Sequence, residues 1–325
     1  MIVRRAGIKL MDLSVCIVTR NQPALLSECV ASCVEEMKRA GLEGEIIVVD
    51  NASSDGYPEK FVPSFPLVRV LRNEQNLSFS AANNLAIRAS SGQCVLILND
   101  DAILHEGSLR PMLECLRANP QVGAVGPQLL KPDGSVQRGF SNKRHPHLRA
   151  MVCDLLGLTP LFDKNAWTRD LFTLHRDDDS GGETDMVAGA CMLCRRSDLD
   201  ALGLFDEGFY YGFEDADLCH RIQKAGLKIV YLFEPQATHH GSRSMNRLAH
   251  PTRDAIYLRG MVYYFKKHTK PLRYVVVRLT LAVAVLVRVP LVAVYRITRR
   301  ANEAVDEPDR SRPTLLSIVR ELLLG

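Results

Sequence analysis

Two acidic clusters and a histidine pair carry most of the reactive side chains in this 325-residue chain. Asn99-Asp100-Asp101 follows the apolar run CVLIL directly. Two neighbouring carboxylates at the mouth of a buried strand repel each other and lose water, so they need open solvent or a positive partner. A divalent ion with hard oxygen ligands supplies such a partner; a simple turn and helix cap is the plainer alternative. If the strand continues, Asp100 and Asp101 point apart. Asp101 is then the candidate ligand, and Asn99 on the same face is placed to bond a ribose or hold a water. The second cluster is Glu214-Asp215-Ala-Asp217, just after the aromatic run Phe209-Tyr210-Tyr211. In a helix starting near Glu214, that residue, Asp217 and Arg221 share one flank and support the helix start or an acceptor. Asp215 projects differently and is placed to take a proton from a hydroxyl. Three acids that merely cap a helix would look the same. His239 and His240 offer an imidazole to complete a metal sphere, with His239 preferred and a solvent-exposed pair as the alternative. Arg243, shortly after, could meet phosphates in bidentate fashion. Asp50, with Asn51, Ser53 and Asp55 behind it, offers acceptors and hydroxyls for a nucleoside.

These residues need elements to hold them. DLSVCIVTRN, EIIVVDN, LVRVLRN and QCVLILNDD read as strands. PALLSECVASCVEEMKRAG reads as a helix opened by Pro23 and stopped by Gly41, and SFSAANNLAIRAS as a second. GSLRPMLECLRANP is a third, with Ser108 as a possible cap. VGAVGPQLL, MVAGACMLCRR and KIVYLF return to strand character, and a short turn is expected between KIVYLF and the histidines. Near-continuous Val, Ile and Leu, alternating with helices, predicts a mostly parallel sheet flanked by helices. Polar groups in such sheets gather beyond the strands' carboxyl ends, so Thr19-Arg20-Asn21, Asp50 to Ser53 and Asn99 to Asp101 should share one rim. Residues 132–182 are less regular, with loops around one short helix, MVCDLLGL, and read as a lid or acceptor-binding insertion.

Composition narrows the classes. With 46% hydrophobic and 24% charged residues the chain is a folded globular protein, and a net charge of +4 argues against a dedicated nucleic-acid binder. Nine scattered cysteines, an odd number inside apolar runs, indicate reduced thiols, and Cys191-x-x-Cys194 should straddle a strand as packing. The N-terminal MIVRRAGIKLMDLS lacks the apolar core of a signal peptide. From Lys266 to Arg300 there are nine Lys or Arg and no acid. Within that run, Val275 to Tyr295 is apolar except for Arg278, Thr280 and Arg288. Ten residues put the two arginines about 80° apart around a helix. An element lying on an anionic membrane surface through residues 272–300 fits this best; packing on the main domain and membrane spanning are the alternatives.

The segments SVCIVTRN, VVDNASSDG, RNEQNLSFSAANN, LILNDD, VAGACMLCRR, FDEGFYYGFEDADLCHRIQKAG and HHGSRS, in this order over residues 12 to 245, resemble the family 2 glycosyltransferases of the GT-A fold, in the branch with bacterial rhamnosyltransferases. The resemblance implies a GT-A domain over 1–245 and a helical extension over 246–325. It implies Asp50 as a base or ribose contact and Asn99-Asp100-Asp101 as the DxD-like motif for metal and diphosphate. Asp215 resembles the catalytic base and His239 the histidine that joins the metal. Arg20, Ser53 and Asp55 would line the nucleotide pocket, with Asn76 and Asn83 near the donor. The implied cofactor is Mg2+ or Mn2+. The implied donor is a nucleotide-diphosphate sugar such as dTDP-rhamnose, and the acceptor a cell-envelope or lipid-linked glycan at the cytoplasmic face of the membrane. Two positions depart from the pattern: Asn99 opens the DxD, and Ser78 stands where Gly is common. A sugar-nucleotide nucleotidyltransferase is the nearest other enzyme, but TRNQPALL is no Gly-rich basic loop, and GxxxxGK[ST] is absent. A non-catalytic glycan-binding module is the third reading.

Overall fold

The first strand ends where the chemistry begins. In the computed structural model, which describes residues 11–56, 65, 67–138, 140–162, 164–176, 180–241 and 250–298 (side chains of the last stretch over 255–288), β1 (Leu13–Thr19) is almost wholly buried. It pairs in parallel with β2 (Gly44–Asn51) and β4 (Cys94–Asn99), and β2 pairs in parallel with β3 (Val68–Asn73). Thr19 lies opposite Asp50 and Val18 opposite Asn99, so the carboxyl ends of three strands form one rim as expected.

Helix α1 (Pro23–Ala40) starts with Pro23 in its first turn and ends at Gly41, whose φ of 64° is the left-handed conformation that only glycine takes without strain. Helix α2 (Phe79–Ala89) is capped by Ser78, whose Oγ accepts from the Ala81 N–H at 3.1 Å, so the serine has a local structural reason. Ser108 does not cap α3 (Leu109–Ala118) with its side chain. The buried Glu36 of α1 does so instead, taking the N–H groups of Gly107 and Leu109 at 2.8 and 3.0 Å, while Ser108 Oγ donates to the Gln236 carbonyl.

The other half of the sheet departs from the parallel expectation. Strand β8 (Cys191–Arg195) runs antiparallel to β4 and to β6 (Val122–Leu130), and β6 pairs in parallel with β9 (Lys228–His239). The short β5 (Ala102–Leu104) and β7 (Gly182–Thr184) both run antiparallel to β9. The order is β3-β2-β1-β4-β8-β6-β9-β5, with β7 also on β9. No turn separates KIVYLF from the histidines: β9 runs on through EPQATH, absorbing a register shift opposite Pro127 and Gln128. The insertion holds more than one helix, namely α4 (Leu148–Leu155), α5 (Thr159–Phe162) and α6 (Ala166–Phe172).

Each face of the sheet has its own core. Cys191 and Leu193 bury on the side of α1 and α3. Met192 and Cys194 bury on the other, with α2, α7 (Arg196–Leu202), α8 (Glu214–Lys224), α9 (His250–His268) and α10 (Pro271–Thr298). The two cysteines therefore straddle the strand as packing, and all nine cysteines are free thiols. Val277, Leu281 and Val285 of α10 bury in the second core, at about 2 kcal/mol each, so this helix belongs to the folded body.

Candidate active site

A cavity of about 660 Å3 opens at the rim and takes in both acidic clusters: Asn99, Asp100, Asp101 and His239, together with Glu214 and Asp215. Asp100 turns towards β1, its Oδ2 accepting from Thr19 Oγ1 at 2.7 Å. Burial, with the Asp101 charge adding to it, pushes Asp100 up to about 7 despite that bond. Asp101 turns the other way. It is buried, and its Oδ1 lies 3.3 Å from His239 Nε2. The ladder explains the meeting: Ala102 of β5 pairs with His239 of β9, and the His240 N–H donates to the Asp101 carbonyl. His239 Nδ1 is 2.8 Å from Gln137 Oε1. An amide oxygen only accepts, so Nδ1 carries the hydrogen and Nε2 turns its lone pair to Asn99 Nδ2 at 3.2 Å and to Asp101. A lone pair facing a carboxylate oxygen is favourable only with a proton or cation between them. His240 is absent from the cavity wall.

Asp215 stands at the first turn of α8, half-buried, with Oδ1 taking the Ala216 N–H at 2.8 Å and Oδ2 the Gly189 N–H at 3.4 Å. The loop before it is tight, with Gly212 at φ 79° and Phe213 at φ 71°. For phenylalanine that conformation is strained, and such strain gathers at working sites. Asn21 (φ 53°) and Ala52 (φ 62°), in the loops after β1 and β2, share it. Glu214 is buried, and its Oε2 has no hydrogen-bond partner. Burial first, and the Asp215 charge second, push Glu214 up to about 8, which favours its neutral form. Asp217 faces away from the cavity. It is fully buried against Arg221, His268 and Lys267, at 2.8, 2.8 and 2.7 Å.

Arg20 and Asn76 line the cavity. Asp50 and Ser53 lie beneath the rim: Asp50 Oδ1 takes the Ser53 N–H, and Ser53 Oγ takes the Asn21 N–H. Asp50 Oδ2 is buried without a hydrogen-bond partner, 3.8 Å from Arg72 Nε. Asp55 is exposed. Asn83 is buried off the cavity, its Nδ2 donating to the Phe79 carbonyl. Asn51 organises the neighbouring loop, bonding Asn73, Asn76 and both backbone groups of Leu77. Arg243 lies outside the described residues. Sequence reasoning missed Gln137, which orients His239, and Lys143, which lines the cavity with its ammonium 4.5 Å above the Phe140 ring. Both sit in the irregular insertion, where no periodicity or motif marked them.

The family model for glycosyl transferase family 2 matches residues 14–203, more than half of the chain. The chain belongs to that family. Among curated proteins, this glycosyltransferase is 32% identical over 219 residues to the N-acetylglucosaminyl-diphospho-decaprenol L-rhamnosyltransferase of Mycobacterium tuberculosis, covering 62% of this chain and 68% of that protein. It is 29% identical to an O-antigen biosynthesis protein of Myxococcus xanthus over 74% of this chain and 18% of that one. Among solved structures it superposes on the Pyrobaculum calidifontis mannosyltransferase in complex with GDP-Man and Mn2+, with a TM-score of 0.55, 18% identity, and coverage of 98% and 86%. The same comparison finds GalNAc-T7 with UDP, GalNAc and Mn2+, at a TM-score of 0.51 and 18% identity, over 72% of this chain and 44% of that one. The fold of the glycosyltransferase is thus GT-A-like, a mixed sheet flanked by helices with a C-terminal helical extension.

Proposed function

We propose that the enzyme transfers L-rhamnose from dTDP-rhamnose to a hydroxyl of a lipid-linked cell-envelope glycan, with inversion at the anomeric carbon. One observation carries this reading: the Asp101–His239 pair and Asp215 face one cavity large enough for a nucleotide sugar. Asp215 accepts the acceptor's hydroxyl proton as that oxygen forms its bond to the anomeric carbon. The bond from this carbon to the diphosphate oxygen breaks on the opposite side, and its electron pair leaves with the diphosphate. Asp50, Ser53 and Arg20 serve the nucleoside, with Asp55 at the open edge of that pocket and Arg243 for the phosphates. Asp50 Oδ2 takes no hydrogen bond and lies 3.8 Å from Arg72 Nε, which leaves it able to accept from a pyrimidine N–H.

Asp101 and His239 fit a divalent ion, Mg2+ or Mn2+, because Nε2 and Oδ1 present lone pairs to one point. Among the described residues no three His, Cys, Asp or Glu side chains converge, so the protein would supply two ligands and the diphosphate further oxygens. Such an ion would neutralise the charge that builds on the leaving diphosphate. The rhamnose assignment is supported by the name of the mycobacterial relative.

The membrane proposal has its own support. No helix among the described residues is long and apolar enough to cross a membrane. Yet α10 leaves Leu272, Val275, Val276, Leu279, Val283 and Leu286 exposed along a helix that is basic and free of acids. That stripe beside positive charge suits an anionic bilayer surface and supports a position for the enzyme at the inner face of the cell membrane.

The test is a panel of nucleotide sugars, with and without Mn2+, followed by diphosphonucleoside release. Release from dTDP-rhamnose above all others, lost on chelation, is the expected result. Equal release from every donor would remove the rhamnose assignment, and none from any would remove the transferase reading.

A further inference from the structure

The family model stops at residue 203, but the cavity wall continues into the C-terminal helices, where Ile256 and Tyr257 of α9 and Arg288 of α10 reach it. The Tyr257 ring packs against Phe213, two residues before Asp215, with centroids 5.0 Å apart. Its hydroxyl hydrogen-bonds Asp154, near the end of α4 in the insertion. Arg288 Nη1 donates to the carbonyl of the next residue, Leu155, at 3.0 Å; burial raises Asp154, and the Tyr257 hydrogen bond and the Arg288 charge oppose that rise. Three elements far apart in sequence therefore bring a phenol, a carboxylate and a guanidinium to one patch of wall, next to the loop that carries the base.

A helix clasp alone would seal these groups from solvent. Asp154 instead remains exposed, and all three side chains line the cavity. Their charges nearly cancel, which does not suit a bare anion. A carboxylate that accepts and a guanidinium that donates suit the hydroxyls of a neutral sugar ring. None of the three is needed for the nucleotide or the diphosphate as assigned above.

We propose that Asp154, Tyr257 and Arg288 form the acceptor subsite, reading the hydroxyls of the sugar to be extended, and that the C-terminal helices are thereby part of the active site. This rests on the glycosyl-transfer reading. It also links two features of α10, which presents Arg288 to the cavity and an apolar stripe outward, so that an acceptor on a lipid carrier is held near the surface that anchors the enzyme.

The experiment uses the full chain, dTDP-rhamnose as donor and N-acetylglucosaminyl-diphospho-decaprenol as acceptor probe. The conservative variants Tyr257→Phe and Asp154→Asn are compared with Arg288→Gln. Acceptor KM should rise at least about fivefold in each, the effect of losing one hydrogen bond. Donor KM and acceptor-free donor hydrolysis should stay within about twofold, which a merely structural role would not ensure. An unchanged acceptor KM in Tyr257→Phe and Asp154→Asn overturns the subsite, as does a donor KM that rises in step. A wild-type protein that neither binds nor hydrolyses any nucleotide sugar overturns the transferase reading, and the subsite with it.

Discussion

Asp215 and Glu214 are neighbours in the chain but not in chemistry. Burial raises the glutamic acid, while the aspartate sits half-open against two backbone N–H groups. Replacing Asp215 by Asn keeps the shape and removes the carboxylate proposed as the base. Transfer should fall about a thousandfold, the scale of positioned acid–base catalysis, with donor affinity by calorimetry within about twofold of wild type. A variant that retains transfer would assign the base elsewhere. Gln137 touches no reacting atom, yet it fixes which imidazole nitrogen carries the hydrogen. Gln137→Leu should weaken Mn2+-dependent donor binding about tenfold or more, while donor affinity measured in chelator stays unchanged. Equal losses with and without the ion would make Gln137 a packing residue only.

At the scale of elements, the helix that starts with Asp215 is held by the next acid along it. Asp217 joins α8 to the end of α9 through His268 and Lys267, and along its own helix through Arg221, with Asp206 sharing Lys267. Burial opposes its charge, but these partners outweigh that and hold Asp217 down at about 2. It therefore binds fewer protons folded than unfolded. Its contribution to stability is complete above the ordinary value of 3.8 and is lost as the pH falls towards 2. Asp217→Asn takes a fully buried carboxylate away from Arg221, Lys267 and His268 and should cost about 3 kcal/mol at pH 7. The variant's unfolding curve should also change less with acid than that of the wild type. Denaturant unfolding at pH 7 and pH 3 measures both, and parallel losses in the two proteins would refute the clasp.

For the whole molecule, α10 joins the core on one side and meets solvent with an apolar stripe on the other. Removing the helix would strip the core of Val277, Leu281 and Val285, so point changes on the exposed side give the cleaner experiment. Leu279→Glu combined with Val283→Glu should abolish cosedimentation with anionic vesicles at low salt and leave the melting temperature within about 2 °C, as surface substitutions do. Wild-type binding should weaken as salt rises, since part of the attraction is charge. If the double variant still binds, the stripe is not the contact.

The residue pattern was enough for the strands and helices around the rim, because continuous Val, Ile and Leu runs admit little else, and Pro23 and Gly41 bound α1 through their own backbone preferences. It also marked Asn99 to Asp101, Asp215 and His239 as candidates, since acids and imidazole at strand and helix ends need a reason. Tertiary structure alone decided which of them meet. The β5–β9 ladder sets His239, rather than His240, against Asp101, over a separation of more than a hundred residues that no local signal spans. It also turned Asp217 into a structural clasp, reversed β8 within the sheet, and carried Tyr257 and Arg288 from helices that read as an appendage into the cavity wall. Local propensity is a property of a few consecutive residues, whereas a site is set by long-range packing.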